Sequence, residues 1–587
     1  MAERTGGQVL VEALAAHGVD TVFGIPGTHN LAIYAALAET GLRHVLLRHE
    51  QGVGFAADGY ARVAGRPGVC VTTTGPGLLN AATALAQAYS DSVPVLVVSP
   101  GMPTGHPATG NGELHEMKNQ SAALDSIVAH SHRVESIAEI PVAVARAFAA
   151  MCSGRPRPVH IEIPFDLLDA SDDPPACAPV AVRPLTPPAA ELDRAADLLR
   201  SARAPGILAG GGVGPDAAPV LRVVAERLGA PVVTSMNGKG VLSDDHPLAL
   251  GAGLAAAPVK DFLASCDLLL AVGTELAPSD MWYGGVPGDV PLVRIDVDPV
   301  QVVTNGRPAV AVLGDAGEAL TGLLDRLGPP ENARNTGDAG AGDAGAGDAG
   351  AGDAASSVGG ALEDGPGDTG GADADGPGGT GDARDGHRRA AHWRDLLRAD
   401  ARTRGGPWLW IVEALESALG RNGVLAGDST MACYYGALGN LRSHTPGGYL
   451  YPTGFGTLGY GLPAGIGAVI AAPDRPVVVL EGDGGFMFTA TELAAASALG
   501  LPLPVIVVEN GGYGEIRRQM KVRGDRVQAV DLPPVDLLGL AGSMGCHAHA
   551  VSEVSVPELA RLLGEALKAD RPTVIVVPEA EAAEETR

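Results

Sequence analysis

The sequence predicts an α/β protein built from three doubly wound parallel-sheet domains joined by linkers, one of them long and acidic. Three observations predict it. Short β-rich apolar runs alternate with helical patterns along most of the chain, the order that produces a parallel sheet covered on both faces. At 587 residues the chain is too long for one core, and units of about 100–200 residues give three or four. Hydrophobic residues make up 46%, mostly Ala, Val and Leu, and aromatics only 4%, so the cores must be made of small aliphatic side chains packed closely.

The first unit, residues 1–175, carries the strand-like runs HVLLR (His44–Arg48), GVCVTTT (Gly68–Thr74), VPVLVVSP (Val93–Pro100) and PVHIEIP (Pro158–Pro164). A Pro-rich stretch, Asp172–Pro188, separates it from a second unit over 190–328 with PGILAGGGVG (Pro205–Gly214), DLLLAVGTE (Asp267–Glu275) and PLVRIDVDP (Pro291–Pro299). Over 329–388 apolar periodicity disappears and Asp338, Asp343, Asp348 and Asp353 recur every five positions among Gly and Ala. Those residues bury nothing that would offset the backbone entropy of ordering, so a disordered tether is expected. The alternation returns over 392–580.

The net charge of −27 excludes a broad nucleic-acid footprint, which needs clustered Lys and Arg. Twelve acids against Arg334 and Arg384 between Glu331 and Gly386 place about ten of those charges in the tether. Six cysteines lie far apart with no CxxC pair, as expected of reduced, mostly buried thiols. The N-terminus lacks the pattern of a signal peptide and no run approaches a membrane span, so a cytoplasmic enzyme or binding protein is expected.

The chemistry concentrates in VVVLEGDGGFMFTATELAAASALGLPLPVIVVENGGYG, Val477–Gly514. It reads as a buried strand, a glycine turn, a helix and the neighbouring strand with its exit loop. Ligands of such sheets sit beyond the carboxyl ends of the strands, where Asp483 and Asn510 here supply two hard oxygens. A carboxylate, an amide oxygen and a carbonyl from the GG turn suit Mg²⁺ holding phosphates. Gly482, Gly484 and Gly485 let the backbone approach those phosphates, and the following helix start favours negative charge. A GDGG turn alone is more often ordinary turn chemistry; the paired Asn favours a ligand site.

GDG followed by Asn510, 27 residues after Asp483, resembles the thiamine-diphosphate motif of the pyruvate oxidase, acetolactate synthase and benzoylformate decarboxylase superfamily. The resemblance covers nearly the whole chain outside the acidic insert and implies pyrimidine-binding, middle and diphosphate-binding domains in that order. It implies that Asp483 and Asn510 ligate Mg²⁺, that Gly512 adds a carbonyl, and that Ser429 and Thr430 of GDST hold the diphosphate. TGFGTLGYGLPAGIGA (Thr453–Ala468) resembles the stretch that props the cofactor in its bent form, with Leu458 as apolar wedge and the Gly456 carbonyl facing the exocyclic amine. RHEQGVGFAADGYARVAG resembles the family's glutamate segment, which makes Glu50 the acid that activates the aminopyrimidine, with burial expected to raise its pKa. The family puts glutamate and Mg²⁺ cradle on different subunits, so a homodimer at least, and a homotetramer by resemblance, is implied.

Enzymes of this kind act on small 2-oxo acids, which lose CO₂, and the remaining fragment is protonated, oxidised or joined to a second carbonyl compound. His115 and Glu116 of GELHEMKNQ lead as acid and base, with Thr28 and His29 of GIPGTHN nearby. Acetolactate synthases usually carry Gln before that Glu, so His115 favours release of an aldehyde. Thr73 stands where benzoylformate decarboxylase has His. RHEQG, LHEMKNQ, GTELAPSD and RPRPVHIEIP together resemble bacterial decarboxylases of arginine-derived 2-oxo acids such as 5-guanidino-2-oxopentanoate, and Glu116 and Glu515 are the carboxylates with which a guanidinium could pair. The alternatives are an acetolactate synthase-type carboligase, favoured by PVVTSMNGKGVLSDDHPLALG (Pro231–Gly251), and a non-catalytic regulator of the same fold. Acetolactate synthases often hold FAD in the middle domain. GTELAPSDMWYG (Gly273–Gly284) departs from their pattern at that edge, which argues against FAD, and GGGVG lacks a full dinucleotide fingerprint.

Overall fold

The computed structural model describes residues 3–107, 110–175, 178–179, 181–328 and 383–580. The expected tether lies outside the described residues up to position 382. Its last residues are helical, because Ala383–Gly405 is one helix. Ala390, Leu397 and Ala401 are buried along it at helical spacing, and Arg389 donates to the carbonyls of Ala204 and Pro205. Five cysteines are free thiols, all buried except Cys152, while Cys177 is outside the described residues.

Three six-stranded parallel sheets form the framework. Across the first, the strands run Arg43–Leu46, Thr21–Gly24, Gly68–Val71, Val95–Gly101, Val159–Pro164 and His130–Arg133. The third runs Tyr449–Leu450, Val424–Gly427, Val477–Gly482, Pro504–Glu509, Thr573–Pro578 and His547–Ala550. Ranked by chain order, both read 2-1-3-4-6-5, so the two domains share one topology. The middle sheet, from Ala249–Gly251 to Val310–Leu313, reads 3-2-1-4-5-6, the nucleotide-fold order. In each sheet the order reverses beside the first strand; at that point Thr28 and His29 leave the first sheet, and Ser429, Thr430 and Asp483 leave the third.

The first and third domains share one core, in which Phe23, Phe55, Tyr460 and Phe486 are fully buried or nearly so. Its centre is the contact of helix Glu50–Ala64 with helix Gly461–Ala471. The two backbones meet at Gly59 and Gly467: a Cβ on Gly59 would stand 2.7 Å from Ala464 Cα, and one on Gly467 2.8 Å from the Ala56 carbonyl carbon. Both helices are rich in Gly and Ala for that reason. The contact fixes the start of the Glu50 helix relative to the third sheet.

Candidate active site

The third-domain cluster forms at the switch point between Val424–Gly427 and Val477–Gly482. Both strands end in Gly-Asp. Asp483 accepts the N–H groups of Gly511 at 2.8 Å and Asn510 at 3.3 Å, and Asn510 Oδ1 accepts that of Gly512 at 3.2 Å. Gly512 has φ 142°, pairs with Asp531 and is packed against the Val530 carbonyl, a place no side chain can take. A Cβ on Gly484 would be 3.5 Å from the Gly512 carbonyl oxygen, so that oxygen faces the GDGG turn. Likewise a Cβ on Gly482 would be 2.9 Å from Thr430 Oγ1, and one on Gly485 3.7 Å from Leu458 Cδ2. GDST, GDGG, the Leu458 loop and the Asn510–Gly512 turn therefore converge, with Ser429 and Thr430 half-buried and Gly456 exposed at φ 68°.

Asp428 organises this convergence and was missed by sequence reasoning. It is fully buried and accepts N–H bonds from Ser429 (2.8 Å), Gly459 (2.8 Å) and Tyr460 (3.2 Å), tying the GDST turn to the Leu458 loop. Burial raises its pKa, against those three amides. The signal was the second Gly-Asp at a strand end.

The first-domain cluster lies at the equivalent switch point. His29 stacks on Phe165 with centroids 4.9 Å apart and meets His115 edge-on at 5.1 Å. Burial and the neighbouring His115 lower the His29 pKa. The Nδ1 atoms of both histidines and the hydroxyls of Tyr34, Thr72, Thr73 and Thr74 are buried without a hydrogen-bond partner. So many unmatched polar atoms at one strand edge are characteristic of a ligand site. His115 holds a left-handed φ of 63°, the kind of local strain that concentrates at functional sites. Thr28 is exposed at the rim.

Glu116 does not face this edge as a free acid. It accepts the N–H groups of Asn111, Gly112 and Glu113 and pairs with His106 at 3.0 Å. The Asn111 amide first, then those of Gly112 and Glu113, hold its pKa below the usual carboxylate range. This arrangement closes the Asn111–Glu116 loop on its own carboxylate.

Glu50 is the first residue of its helix, half-buried, and accepts Asn80 Nδ2 at 3.0 Å. A Cβ on Gly77 would meet Thr73 Cγ2 at 2.8 Å and Glu50 Oε1 at 3.1 Å, which groups Glu50 with the first-domain cluster. Glu492 of the third domain is buried beside this helix start, and burial raises its pKa to about 7. Among the described residues no hydrogen bond joins the first-domain cluster to the third-domain cluster.

A cavity of about 540 Å³ lies elsewhere, at the switch point of the middle sheet where Gly211, Gly212, Glu275 and Asp296 face Asp91 and Arg155 of the first domain. Arg155 is held by Glu275, with Arg157 3.9 Å from the same carboxylate. Asp280 is almost wholly buried there, its pKa pushed up to about 6 by burial.

Three comparisons meet this geometry. Residues 4–123 match the thiamine pyrophosphate enzyme N-terminal TPP binding domain, 192–323 the central domain and 426–577 the C-terminal TPP binding domain. The probable 2-ketoarginine decarboxylase AruI of Pseudomonas aeruginosa is 42% identical over 537 residues, covering 91% of this chain and 86% of that protein. The acetolactate synthase isozyme 2 large subunit of Escherichia coli is 31% identical over 583 residues, 97% of this chain and 95% of that protein. The acetolactate synthase large subunit of Corynebacterium glutamicum is 31% identical over 595 residues, 97% and 86%. With the three domain matches in family order on three parallel-sheet domains, the chain belongs to the thiamine pyrophosphate enzymes.

Proposed function

We propose that the chain is a thiamine diphosphate- and Mg²⁺-dependent decarboxylase that converts a 2-oxo acid, 5-guanidino-2-oxopentanoate (2-ketoarginine), to an aldehyde and CO₂. The observation that carries this reading is one chain bearing both a one-carboxylate oxygen cradle and an edge-on histidine pair with unmatched nitrogens. The name of the Pseudomonas aeruginosa relative supports the substrate.

The residues present fit the cofactor. A single carboxylate with amide and carbonyl oxygens leaves positions for phosphate oxygens on Mg²⁺, so Asp483, Asn510 and Gly512 are its proposed ligands. Ser429, Thr430 and the backbone of Gly482, Gly484 and Gly485 would hold the diphosphate, and Leu458 with the Gly456 carbonyl the bent ring system. Bound there, thiamine diphosphate supplies a carbon nucleophile for the 2-oxo group and a sink for the electrons left as CO₂ departs. Glu50 holds the proton that sets the aminopyrimidine tautomer. His29, kept neutral by burial, and His115 offer ring nitrogens that move a proton to the product carbon.

Glu50 and the cradle would meet across a subunit boundary in a homodimer or homotetramer. Phe455 (56% exposed), Met487 (42%) and Phe488 (52%) flank the cradle uncovered in the single chain, in keeping with a partner surface. FAD fits poorly in the middle-domain cavity, because Glu275 already occupies the Arg155 guanidinium and Asp280 and Asp296 add carboxylates to its lining.

The second reading is carboligation, favoured by acetolactate synthases that match at 31% identity over 97% of the chain. Incubation of the protein with thiamine diphosphate, Mg²⁺ and either pyruvate or 5-guanidino-2-oxopentanoate, with CO₂ release and product mass measured, separates the two. Aldehyde from the guanidino acid supports decarboxylation; acetolactate from pyruvate overturns it.

A further inference from the structure

Directly after the Asn510–Gly512 turn, helix Gly514–Arg523 begins, and it buries none of its residues. A Cβ on Gly514 would lie 2.8 Å from Asn510 Nδ2 and 3.2 Å from Met431 Sδ, so the helix start adjoins the cradle. In its first turn Glu515 accepts both Nε (3.0 Å) and Nη2 (2.8 Å) of Arg518, a two-pronged pairing. The same Nη2 donates to Tyr435 Oη at 2.7 Å, and the Arg518 Cζ lies 5.5 Å from the centre of the Tyr435 ring. Tyr435 belongs to the π-helical segment Ala432–Ala437 that follows GDST, and Trp282 of the middle domain meets its ring edge-on at 6.1 Å. A carboxylate fork with aromatic faces is the chemistry that recognises a planar guanidinium, and here the fork holds Arg518 and also accepts Gln519 Nε2 at 2.8 Å, while the Arg404 Cζ lies 5.9 Å from the centre of the Trp282 ring. The fork's occupant is a 45%-exposed side chain three residues along an unburied helix, so a ligand guanidinium that matches the same fork and ring contacts competes with it directly.

The geometry points to Glu515, Tyr435 and Trp282 as the subsite for the guanidinium of a guanidino 2-oxo acid, with Arg518 as the internal occupant that substrate displaces. Glu116, the other carboxylate within reach of the sequence argument, is consumed by its own loop. The inference rests on the proposed decarboxylase reading and adds to it the residue that selects the substrate.

The test uses the full-length enzyme with thiamine diphosphate and Mg²⁺, and compares 5-guanidino-2-oxopentanoate with the uncharged 2-oxohexanoate. Glu515→Gln is expected to raise KM for the guanidino acid by about tenfold or more while changing kcat/KM for 2-oxohexanoate by less than about threefold, since a site built for a polar group discriminates through that group. Arg518→Ala is expected to lower KM for the guanidino acid. Equal losses on both substrates, or an unchanged KM for the guanidino acid, overturn the subsite. Tryptophan fluorescence titration of wild type and Glu515→Gln with both acids reads binding apart from turnover. Guanidino-selective binding that Glu515→Gln abolishes, in a protein that releases no CO₂, upholds the subsite and refutes the reaction.

Discussion

The Glu492 carboxylate of the third domain accepts the backbone N–H of His49 at 2.9 Å, and its other oxygen accepts that of Arg48, also at 2.9 Å. His49 caps the helix that Glu50 begins. One domain thus holds the segment that aims the proposed acid of another. Burial raises the Glu492 pKa to about 7 from an ordinary 4.5, with the nearby Glu50 charge adding to the shift. A folded-state value above the unfolded one means protonation favours the fold, so this contribution is present below about pH 4.5 and is lost as pH rises through about 7. Glu492→Gln should flatten the dependence of unfolding free energy on pH across that window. Because Gln keeps one acceptor, one buried amide loses its partner at a cost of about 1–3 kcal/mol. Denaturant titrations at several pH values in the window check both effects, and an unchanged slope would count against the assignment.

Glu50→Gln preserves the size of the side chain and one acceptor for Asn80, and removes the ionisable proton. Turnover should fall by about 10²–10⁴-fold, the usual worth of a positioned acid or base, with thiamine diphosphate affinity within a few-fold of wild type. Calorimetric cofactor titration beside kcat makes the comparison. Equal losses of binding and turnover would make Glu50 a structural cap.

Much of this was legible because parallel strands buried on both faces are continuous apolar runs. Val477–Gly482 and Pro504–Glu509 stand out from the sequence for that reason. His130–Arg133 (HSHR) and His547–Ala550 (HAHA) do not, since as edge strands they are half-solvated and polar. The convergence of the Asp483 and Asn510 turns was legible because these residues are tied to strand ends at a fixed spacing. Asp428 was passed over beside Ser429 and Thr430, although the same Gly-Asp ending marks it. The Glu492 and Glu275 contacts join segments remote in sequence, and no local pattern encodes such a pairing. The loop contacts of Glu116 were not legible, because a carboxylate beside a histidine reads alike whether it faces substrate or its own loop amides.

Asp483 bonds the Asn510–Gly511 turn as well as facing the cradle, so its replacement has two separable effects. Asp483→Asn should abolish Mg²⁺-dependent cofactor binding and lower stability by about 1–3 kcal/mol, because the amide oxygen can keep the Gly511 N–H while the amide nitrogen then faces the Gly484 N–H that the other oxygen accepted. Chelation of Mg²⁺ in wild type should reproduce the loss of binding reversibly. Retained activity after exhaustive chelation would refute the metal assignment.

The His29–His115 pair predicts an asymmetric response. His115→Ala removes an unmatched nitrogen and a ring edge from His29, and should lower kcat by about 10²-fold or more while leaving cofactor affinity near wild type. It also removes one of the two causes that lower the His29 pKa, so the His29 titration, followed by NMR of its ring protons, should move upward. Parallel losses in kcat and cofactor binding would assign His115 to structure.

The Arg155–Glu275 ion pair makes the last prediction, because it places a protein anion where a dinucleotide would bring its own. Arg155 is largely buried, and burial lowers its pKa to about 10, so it needs a counter-charge to remain a cation inside the protein. Glu275 supplies that charge across the boundary between the first and middle domains. Wild-type protein should therefore purify without flavin absorbance and show no quenching of added FAD fluorescence. Glu275→Ala frees the guanidinium and removes one of the acids facing the cavity, so FAD or another pyrophosphate-bearing nucleotide should bind measurably to the variant. Stoichiometric FAD in wild-type protein would show that the cavity accepts the dinucleotide with the ion pair in place or displaced, and the electrostatic argument would fail.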